Sequence, residues 1–331
     1  MKKLAIVGFG AVCENAHAKA LNELKDIITP VCVFDLSKER IKKAVEILKV
    51  VGYESLDEMI EKEKIDVALV STPPSTHKDI IIKLLEKGID VLCEKPLCVN
   101  LSEFDEISDA VYSNEKIVYT VHNWKYSPHI LKIKELIPEI GELKYVEWKT
   151  LRKNPSQSAS YNWRIDPRLS GGGIVFDHGW HVIYILNSLI GKRICDINAQ
   201  FDFTQNLIDE VADLTLVYED KTIANIHLSW KSCLRKNFIF AYGSKGILIF
   251  DDDIIKIEKK DGEKIEFSFD EKLSASSAHP LWTKYIYMDF IKAIDDRGKF
   301  EENFDEARQC IKTIMAGYKY YDQRKDKAIC N

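Results

Sequence analysis

Residues able to do acid–base chemistry fall at two places in this 331-residue chain. The first is Glu94-Lys95-Pro96, inside the stretch VLCEKPLC, where a charged pair follows directly on an apolar run. The second is GGGIVFDHGWH, where Asp177 and His181 stand four residues apart with His178 between them. A lysine held in a partly desolvated crevice near a positive ring has its pKa lowered toward neutrality and can exchange a proton with a substrate hydroxyl. Glu94 then orients the ammonium or contacts a ribose, and Pro96 fixes the turn. A surface ion pair at a strand end is the plainer account of Glu94 and Lys95. Four-residue spacing puts Asp177 and His181 on one helical face, an arrangement suited to acid–base work or to binding sugar hydroxyls. Gly171 to Gly173 let backbone approach a ligand closely before that helix. Burying Asp177, His178 and His181 among apolar neighbours would be costly, and a metal site would need further ligands, so none is expected.

A third feature supplies the partner for this chemistry. In VGFGAVC, Gly8 permits a tight turn after a strand and Gly10 lets a pyrophosphate approach the backbone at a helix N-terminus, with Ala11 and Val12 in the same turn. Cys13 replaces the third glycine of the fingerprint and is small enough for helix–sheet packing. Asp35 ends the second strand, where a carboxylate accepts from the ribose hydroxyls of NAD; the alternative is a turn or cap role before Ser37. Lys38 and Arg40 lie near enough to leave NADP open, but an acidic Asp35 repels a 2′-phosphate, so NAD is the expected cofactor. Ser71, Thr72 and Pro73 follow another strand and should edge the cofactor, since ligands of open α/β sheets lie outside the strand ends. His77 either joins them or is an ordinary first-turn helix residue.

The elements that must position these residues are readable from hydrophobic period. Continuous apolar strands (KKLAIVGFG, IITPVCVFD, IDVALVST, IDVLCE, KIVYTVH) alternate with amphipathic helices, which means βαβ units and a parallel sheet covered on both faces. One of those helices should start at Ser75/Thr76 and stop at Gly88. After about residue 123 the pattern becomes one long helix, GGIVFDHGWHVIYILNSL, then a series of strands of antiparallel type, with helices returning at Leu281 to Ile294 and Phe304 to Tyr320. The expected fold is α/β: a doubly wound Rossmann domain over 1–122, and an α+β domain with an open, mainly antiparallel sheet over 123–331. The few C-terminal helices cannot cover both faces of that sheet. Ile254, Ile255 and Ile257 suggest an uncovered face that is partly apolar, and hence a homodimer or homotetramer.

Composition narrows the class. A net charge of −5 gives no basic footprint for nucleic acid. The opening MKKLAIVGFG has too short an apolar core for a secretion signal, and no segment is long enough to span a bilayer, so a cytoplasmic location is expected. The eight cysteines are scattered without C-x-x-C or zinc-type spacing. Cys93 and Cys98 are read as buried, reduced and small rather than as a redox pair.

Taken together, the G-x-G start, EKP after the fourth strand, NWRIDPRLSGGG and the following D-x-G-x-H resemble the glucose–fructose oxidoreductase, inositol dehydrogenase and rhizopine-catabolism (Gfo/Idh/MocA) family over essentially the whole chain. The resemblance implies NAD(P)-dependent chemistry on polyhydroxylated rings, and oligomerisation through the open sheet. It makes Lys95, Asp177 and His181 the catalytic residues and puts Trp163 and Arg164 near the nicotinamide. Departures lie on the substrate side: Tyr184 stands where the family often has aspartate, and after Asn123 the pair Trp124-Lys125 stands where an arginine pair is common. His178 is also unusual. With Lys95, Asp177 and His181, these three and His178 form the expected substrate-binding set. The implied function is a dehydrogenase acting on a secondary alcohol of a sugar, inositol or nucleotide-linked sugar. A hydrolase or lyase using tightly held NAD, or a non-catalytic NAD sensor, are the alternatives, and intact Lys95, Asp177 and His181 argue against the sensor.

Overall fold

The computed structural model describes residues 1–157, 162–276 and 278–325. The chain forms two compact units, Met1–Tyr126 with Ser277–Arg308, and Ser127–Ser276 with Gln309–Asn331. The first crossing falls just after the expected boundary at residue 122. The C-terminal helices, expected wholly in the second domain, are divided. Apolar side chains explain the division: Phe290 packs on Tyr119 and Phe304 stacks on Phe104 at 4.9 Å, which returns this part of the chain to unit 1.

Unit 1 is built on six parallel strands, β1 (Lys2–Val7), β2 (Ile28–Phe34), β3 (Val51–Tyr53), β4 (Val67–Val70), β5 (Asp90–Cys93) and β6 (Val118–Thr120), in the order β3-β2-β1-β4-β5-β6. Leu4 to Val7 and Val67 to Val70 are completely buried, which is why these strands read as unbroken apolar runs. A π-helical turn (Cys13–His17) leads into α1 (Ala18–Asn22), followed by α2 (Lys38–Leu48), α3 (Leu56–Lys62), α4 (His77–Glu86) and α5 (Leu101–Ser113). Ser37, Ser55 and Asn100 cap α2, α3 and α5 by accepting backbone N–H groups. Thr76 precedes α4 as expected, but its hydroxyl donates to the Pro73 carbonyl instead of capping the helix. Neither β3 nor α3 is among the expected elements, because β3 is three residues long with a glycine at its centre and carries no apolar run.

In unit 2, α6 (Pro128–Leu136) precedes β7 (Leu143–Leu151), then come the short α7 (Pro167–Ser170), a π-helical turn (Val175–Gly179) and α8 (Trp180–Ile190). The strands β8 (Ile194–Phe203), β9 (Asp209–Tyr218), β10 (Ile223–Ser229), β11 (Lys236–Gly243), β12 (Gly246–Asp251), β13 (Ile254–Lys259) and β14 (Lys264–Ser268) complete an eight-stranded sheet ordered β14-β13-β12-β11-β7-β10-β9-β8. It is mainly antiparallel; β7 and β10 are parallel. Strand β7 is an addition to the sequence reading and lies in the middle of the sheet, although LKYVEWKTL does alternate, with Val146, Trp148 and Thr150 inward. Helix α9 (Pro280–Asp295) belongs to unit 1, and α10 (Arg297–Lys325) contributes to both units.

Inward-facing Trp148, Ile239, Leu248, Ile255 and Ile257 are at most 1% exposed. Ile255 and Ile257 therefore point into the core, and the apolar part of the outward face is formed by other residues. Those are Tyr145, Phe240, Tyr242, Ile247 and Ile249, with Tyr145 and Tyr242 stacked at 5.4 Å across the β7–β11 pair. Among the described residues, no helix is long and apolar enough to cross a membrane. Trp148 is fully buried on a central strand and its indole N–H donates to Thr150, so Trp148→Ala should cost about 3–5 kcal/mol in urea-unfolding stability.

Candidate active site

The strand order of unit 1 reverses direction between β1 and β4, and the loops after these strands form a crevice edge of the kind that holds dinucleotides. Gly8 leaves β1 at φ +90°, and a Cβ there would meet Thr72 Cγ2 at 2.8 Å. Glycine is required on both counts. The Gly8 N–H donates to Phe34 O, and the Ser71 hydroxyl donates to Gly8 O at 2.6 Å, which stitches the loop to both neighbours. A Cβ on Gly10 would meet nothing within 4 Å, so the first helical turn opens onto free space. Gly10, Ala11 and Val12 are all accessible there, at a position where backbone N–H groups have no intrahelical acceptor. Cys13 is fully buried and burial pushes its thiol up to about 12, which suits packing and not chemistry.

The candidate cofactor residues thus separate into two kinds. Gly10, Ala11, Val12, Thr72, Pro73 and Lys95 are accessible; Asp35, Ser71, His77 and Glu94 are buried supports. Asp35 accepts from Phe9 N at 2.7 Å and from Ser37 N at 2.9 Å, so the turn role and the strand-end position coexist. Each of its oxygens retains a second lone pair for a ribose hydroxyl. The Arg40 guanidinium lies 4.0 Å away. His77 has Nδ1 at 2.9 Å from Pro96 O and Nε2 at 2.9 Å from Thr72 O, which ties the loop after β4 to the loop after β5. Burial pushes its pKa down against those two carbonyls.

Lys95 follows β5 with its backbone N–H donated to Glu94 Oε2 at 3.1 Å. Burial would raise the Glu94 carboxyl, but the His17 hydrogen bond at 2.9 Å, the Lys95 charge and the Lys95 backbone N–H oppose it, and the pKa is held below the usual range. Cys93 and Cys98 on either side are fully buried with thiols driven upward by burial, which suits packing and not thiol chemistry. Next to it, after β6, Asn123 keeps its Oδ1 buried without a hydrogen-bond donor, an acceptor that a bound amide or hydroxyl would satisfy. Trp124 is 5% exposed and lies in the core of unit 1. The Lys125 ammonium sits 2.6 Å from Glu306 Oε1, whose other oxygen is 3.0 Å from His122. This network was not marked in the sequence, because Glu306 is 181 residues from Lys125. His17 and Tyr287 also lie outside the sequence-derived set, and both are fully buried behind Glu94.

The other constellation is in unit 2. Asp177 lies in the π-helical turn, 3.5 Å from Arg164 Nε and 3.5 Å from His178 Nε2. The Arg164 guanidinium stacks on Trp163 at 4.6 Å, and the His178 and His181 rings are 6.5 Å apart. Trp163, Arg164, Asp177, His178 and His181 are thus brought together as one cluster. His181 is 5% exposed, and its Nδ1 is 2.9 Å from the Tyr184 hydroxyl. Tyr184 therefore occupies the orienting position beside the histidine with a neutral group. Asp209, absent from the sequence reading, secures the start of the helix: it accepts from Gly173 N at 2.6 Å, Val175 N at 2.9 Å and the Tyr318 hydroxyl at 2.6 Å. A Cβ on Gly173 would meet Asp209 O at 2.0 Å, so the expected close approach at the glycine run is an approach of the chain to itself.

Comparison with known proteins identifies the family of the chain. Residues 2–122 match the model of the oxidoreductase family with an NAD-binding Rossmann fold, and residues 130–249 match the GFO/IDH/MocA C-terminal domain. The chain belongs to the Gfo/Idh/MocA family of NAD-binding oxidoreductases. It is 26% identical over 239 residues to glucose-6-phosphate 3-dehydrogenase of Bacillus subtilis, spanning 68% of this chain and 67% of that protein. It is 27% identical over 198 residues to myo-inositol 2-dehydrogenase of Thermotoga maritima, spanning 60% and 57% of the two chains. A solved structure of levoglucosan dehydrogenase with NADH and levoglucosan superposes with a TM-score of 0.84 at 19% identity, covering 97% of each chain, which establishes the shared fold.

Because Asp209 holds the turn that carries Asp177, Asp209→Ala should lower stability by about 1–3 kcal/mol. It should also raise backbone amide exchange at Gly173 and Val175 far more than in the β-sheet, measurable by hydrogen–deuterium exchange with mass spectrometry.

Proposed function

We propose that this protein is an NAD-dependent dehydrogenase that oxidises a secondary alcohol of a sugar, inositol or nucleotide-linked sugar, or reduces the corresponding ketone. The observation that carries the reading is Lys95, an accessible ammonium at a strand end beside the dinucleotide loops, with a buried, ionised Glu94 directly behind it. Gly8 and Gly10 provide the close approach and the open helical turn for a pyrophosphate, and Asp35 has lone pairs left for an adenosine ribose. When bound, the nicotinamide supplies the hydride acceptor or donor. Lys95 exchanges the proton of the reacting hydroxyl, since a carbon–hydrogen bond can lose hydride only as the oxygen gives up its proton.

The cluster of unit 2 fits a polyhydroxylated ligand. Asp177, His178 and His181 offer acceptors and donors within a few ångströms of each other, and Arg164 adds a positive charge. Within unit 2, Asp177, His178 and His181 bind hydroxyls of the polyol, with Trp163 and Arg164 beside them; Asn123 of unit 1 offers a further acceptor. The named relatives that act on glucose 6-phosphate and myo-inositol support a ring polyol as the substrate. Lys125 and Trp124 take no direct part in this reading, being committed to Glu306 and to the core.

Screening glucose, glucose 6-phosphate, myo-inositol and sugar nucleotides for NADH absorbance identifies the substrate; no NADH from any of them, with NAD bound, counts against the reading. On the active substrate, Lys95→Ala should lower turnover by roughly 10²–10⁴-fold with NAD affinity nearly intact. His181→Ala should lower both turnover and substrate affinity. A melting temperature that falls while activity per folded molecule holds would return His181 to a purely structural role.

We further propose a homodimer or homotetramer formed through the outward face of the eight-stranded sheet, where Tyr145, Phe240, Tyr242, Ile247 and Ile249 form an apolar patch. Light scattering at micromolar concentration should give a multiple of the 38.1 kDa chain mass, and Phe240→Asp should shift it toward the monomer.

A further inference from the structure

Behind Lys95 lies a buried chain of three polar groups that proton transfer, as described so far, does not use. Tyr287 and His17 are fully buried, the Tyr287 hydroxyl is 3.0 Å from His17 Nδ1, and His17 Nε2 is 2.9 Å from Glu94 Oε1. The other Glu94 oxygen accepts the Lys95 backbone N–H at 3.1 Å. The three groups come from the residue just after β5, from the π-helical turn after β1 and from α9, and Glu94 and Tyr287 lie 77 and 270 positions from His17. All lie in unit 1.

Counting hydrogens fixes the direction of the chain. Burial drives the Tyr287 hydroxyl well above its ordinary range, so it carries its proton throughout the working pH range. Among the described residues, His17 Nδ1 is the acceptor available to that proton. If His17 were an imidazolium, both ring nitrogens would be donors, and the Tyr287 proton would be buried without an acceptor, at a cost. With the single imidazole proton on Nε2, every hydrogen is placed: Tyr287 donates to His17, and His17 donates to Glu94. Glu94 is then an anion with one strong donor on each oxygen.

We propose that His17 and Tyr287 are positioning residues for Lys95: the chain Tyr287–His17–Glu94 fixes a carboxylate anion behind Lys95, and that anion stabilises the ammonium formed when Lys95 takes a proton. This inference rests on the reading of Lys95 as the proton-transfer group. The step balances simply. The substrate O–H bond breaks, an N–H bond forms on Lys95 Nζ, and the positive charge that appears is offset by Glu94; the hydride leaves to the nicotinamide.

The other titratable groups that face Glu94 are Cys13, His77, Cys93, Lys95 and His122. Burial pushes both thiols upward and both of these imidazoles downward, so between about pH 7 and 9 they stay neutral. Within that window the charge beside Lys95 is decided by Glu94, and whether Glu94 is ionised is decided by its donor, His17. Removing the donor leaves a buried carboxyl whose pKa rises, so that its charge is lost at the lower end of the window and regained as the pH is raised.

Competitive acylation of the full-length protein by acetic anhydride, with peptide mass spectrometry comparing Lys95 with exposed lysines, reads this directly. Glu94→Gln sets the benchmark, a neutral neighbour at every pH, and Lys95 should react about tenfold faster than in the unmodified protein at about pH 7. His17→Phe, which keeps a ring but no N–H, should match Glu94→Gln at about pH 7 and the unmodified protein at about pH 9. His17→Gln, with an amide N–H to offer, should restore the unmodified reactivity. The proposal is overturned if His17→Phe behaves like the unmodified protein at pH 7, if Glu94→Gln does, or if His17→Gln is no better than His17→Phe. Should His17→Phe not fold, nitrogen-15 NMR of the unmodified protein decides: a neutral Nε2–H imidazole at His17 across pH 6 to 8 supports the chain, and an imidazolium or Nδ1–H form overturns it. Acylation reports on Lys95 whether or not it is catalytic. Normal turnover in Lys95→Ala would therefore sink the catalytic reading while leaving the coupling of His17 to Lys95 separately tested.

Discussion

A buried carboxylate at the end of a parallel strand is the constraint around which unit 1 is arranged. Glu94 is 8% exposed, and an isolated anion there would be strongly disfavoured. It is tolerated because an imidazole N–H and a backbone N–H meet its two oxygens and an ammonium lies nearby. Those partners must come from the helical turn after β1, from the strand end itself and, through Tyr287, from a helix late in the chain. The charge therefore dictates where α9 sits as much as the apolar contacts of Phe290 and Ile286 do. His77 performs a related task one loop away, joining the carbonyls of Thr72 and Pro96 so that the loops after β4 and β5 hold a fixed spacing.

Unit 2 solves a comparable problem with the same chemistry. Its candidate site stands on a π-helical turn whose first N–H groups would be orphaned, and the buried Asp209 takes them while Tyr318 supplies a further donor. Burial pushes the Asp209 carboxyl upward despite those three donors, so its anion is held at a net cost that the anchored helix offsets. In both units, then, a buried carboxylate fixes the backbone beneath residues of the candidate site.

The departures from the family pattern acquire physical meaning at this level. Tyr184 brings a neutral hydroxyl to the His181 ring where a carboxylate is common, so the imidazole is oriented without a second buried charge. Lys125 stands in place of an arginine and is neutralised by Glu306, which His122 also holds; burial alone would raise Glu306, and these two partners keep it low. The segment around Lys125 thus carries less uncompensated positive charge than its sequence suggests.

By itself, the sequence determined the parallel sheet, the glycine turn, the strand-end lysine and the D-x-G-x-H helix. Each is a local pattern: a buried strand needs an unbroken apolar run, and a close backbone approach needs glycine. Short or polar elements escaped that reading. Strand β3 is too brief to show a period, and in β7 the alternation is blurred because Tyr145 and Leu151 are apolar on the outward side and Lys144 is polar at a position of inward parity. Which isoleucines of β13 face the core could not be read either, because adjacent Ile254 and Ile255 look alike until the register with β12 is set. Only the tertiary structure decided the supporting residues His17, Tyr287, Asp209 and Glu306. Their partners lie 34 to 270 positions away, and a hydrogen bond across such a separation leaves no period in a single sequence.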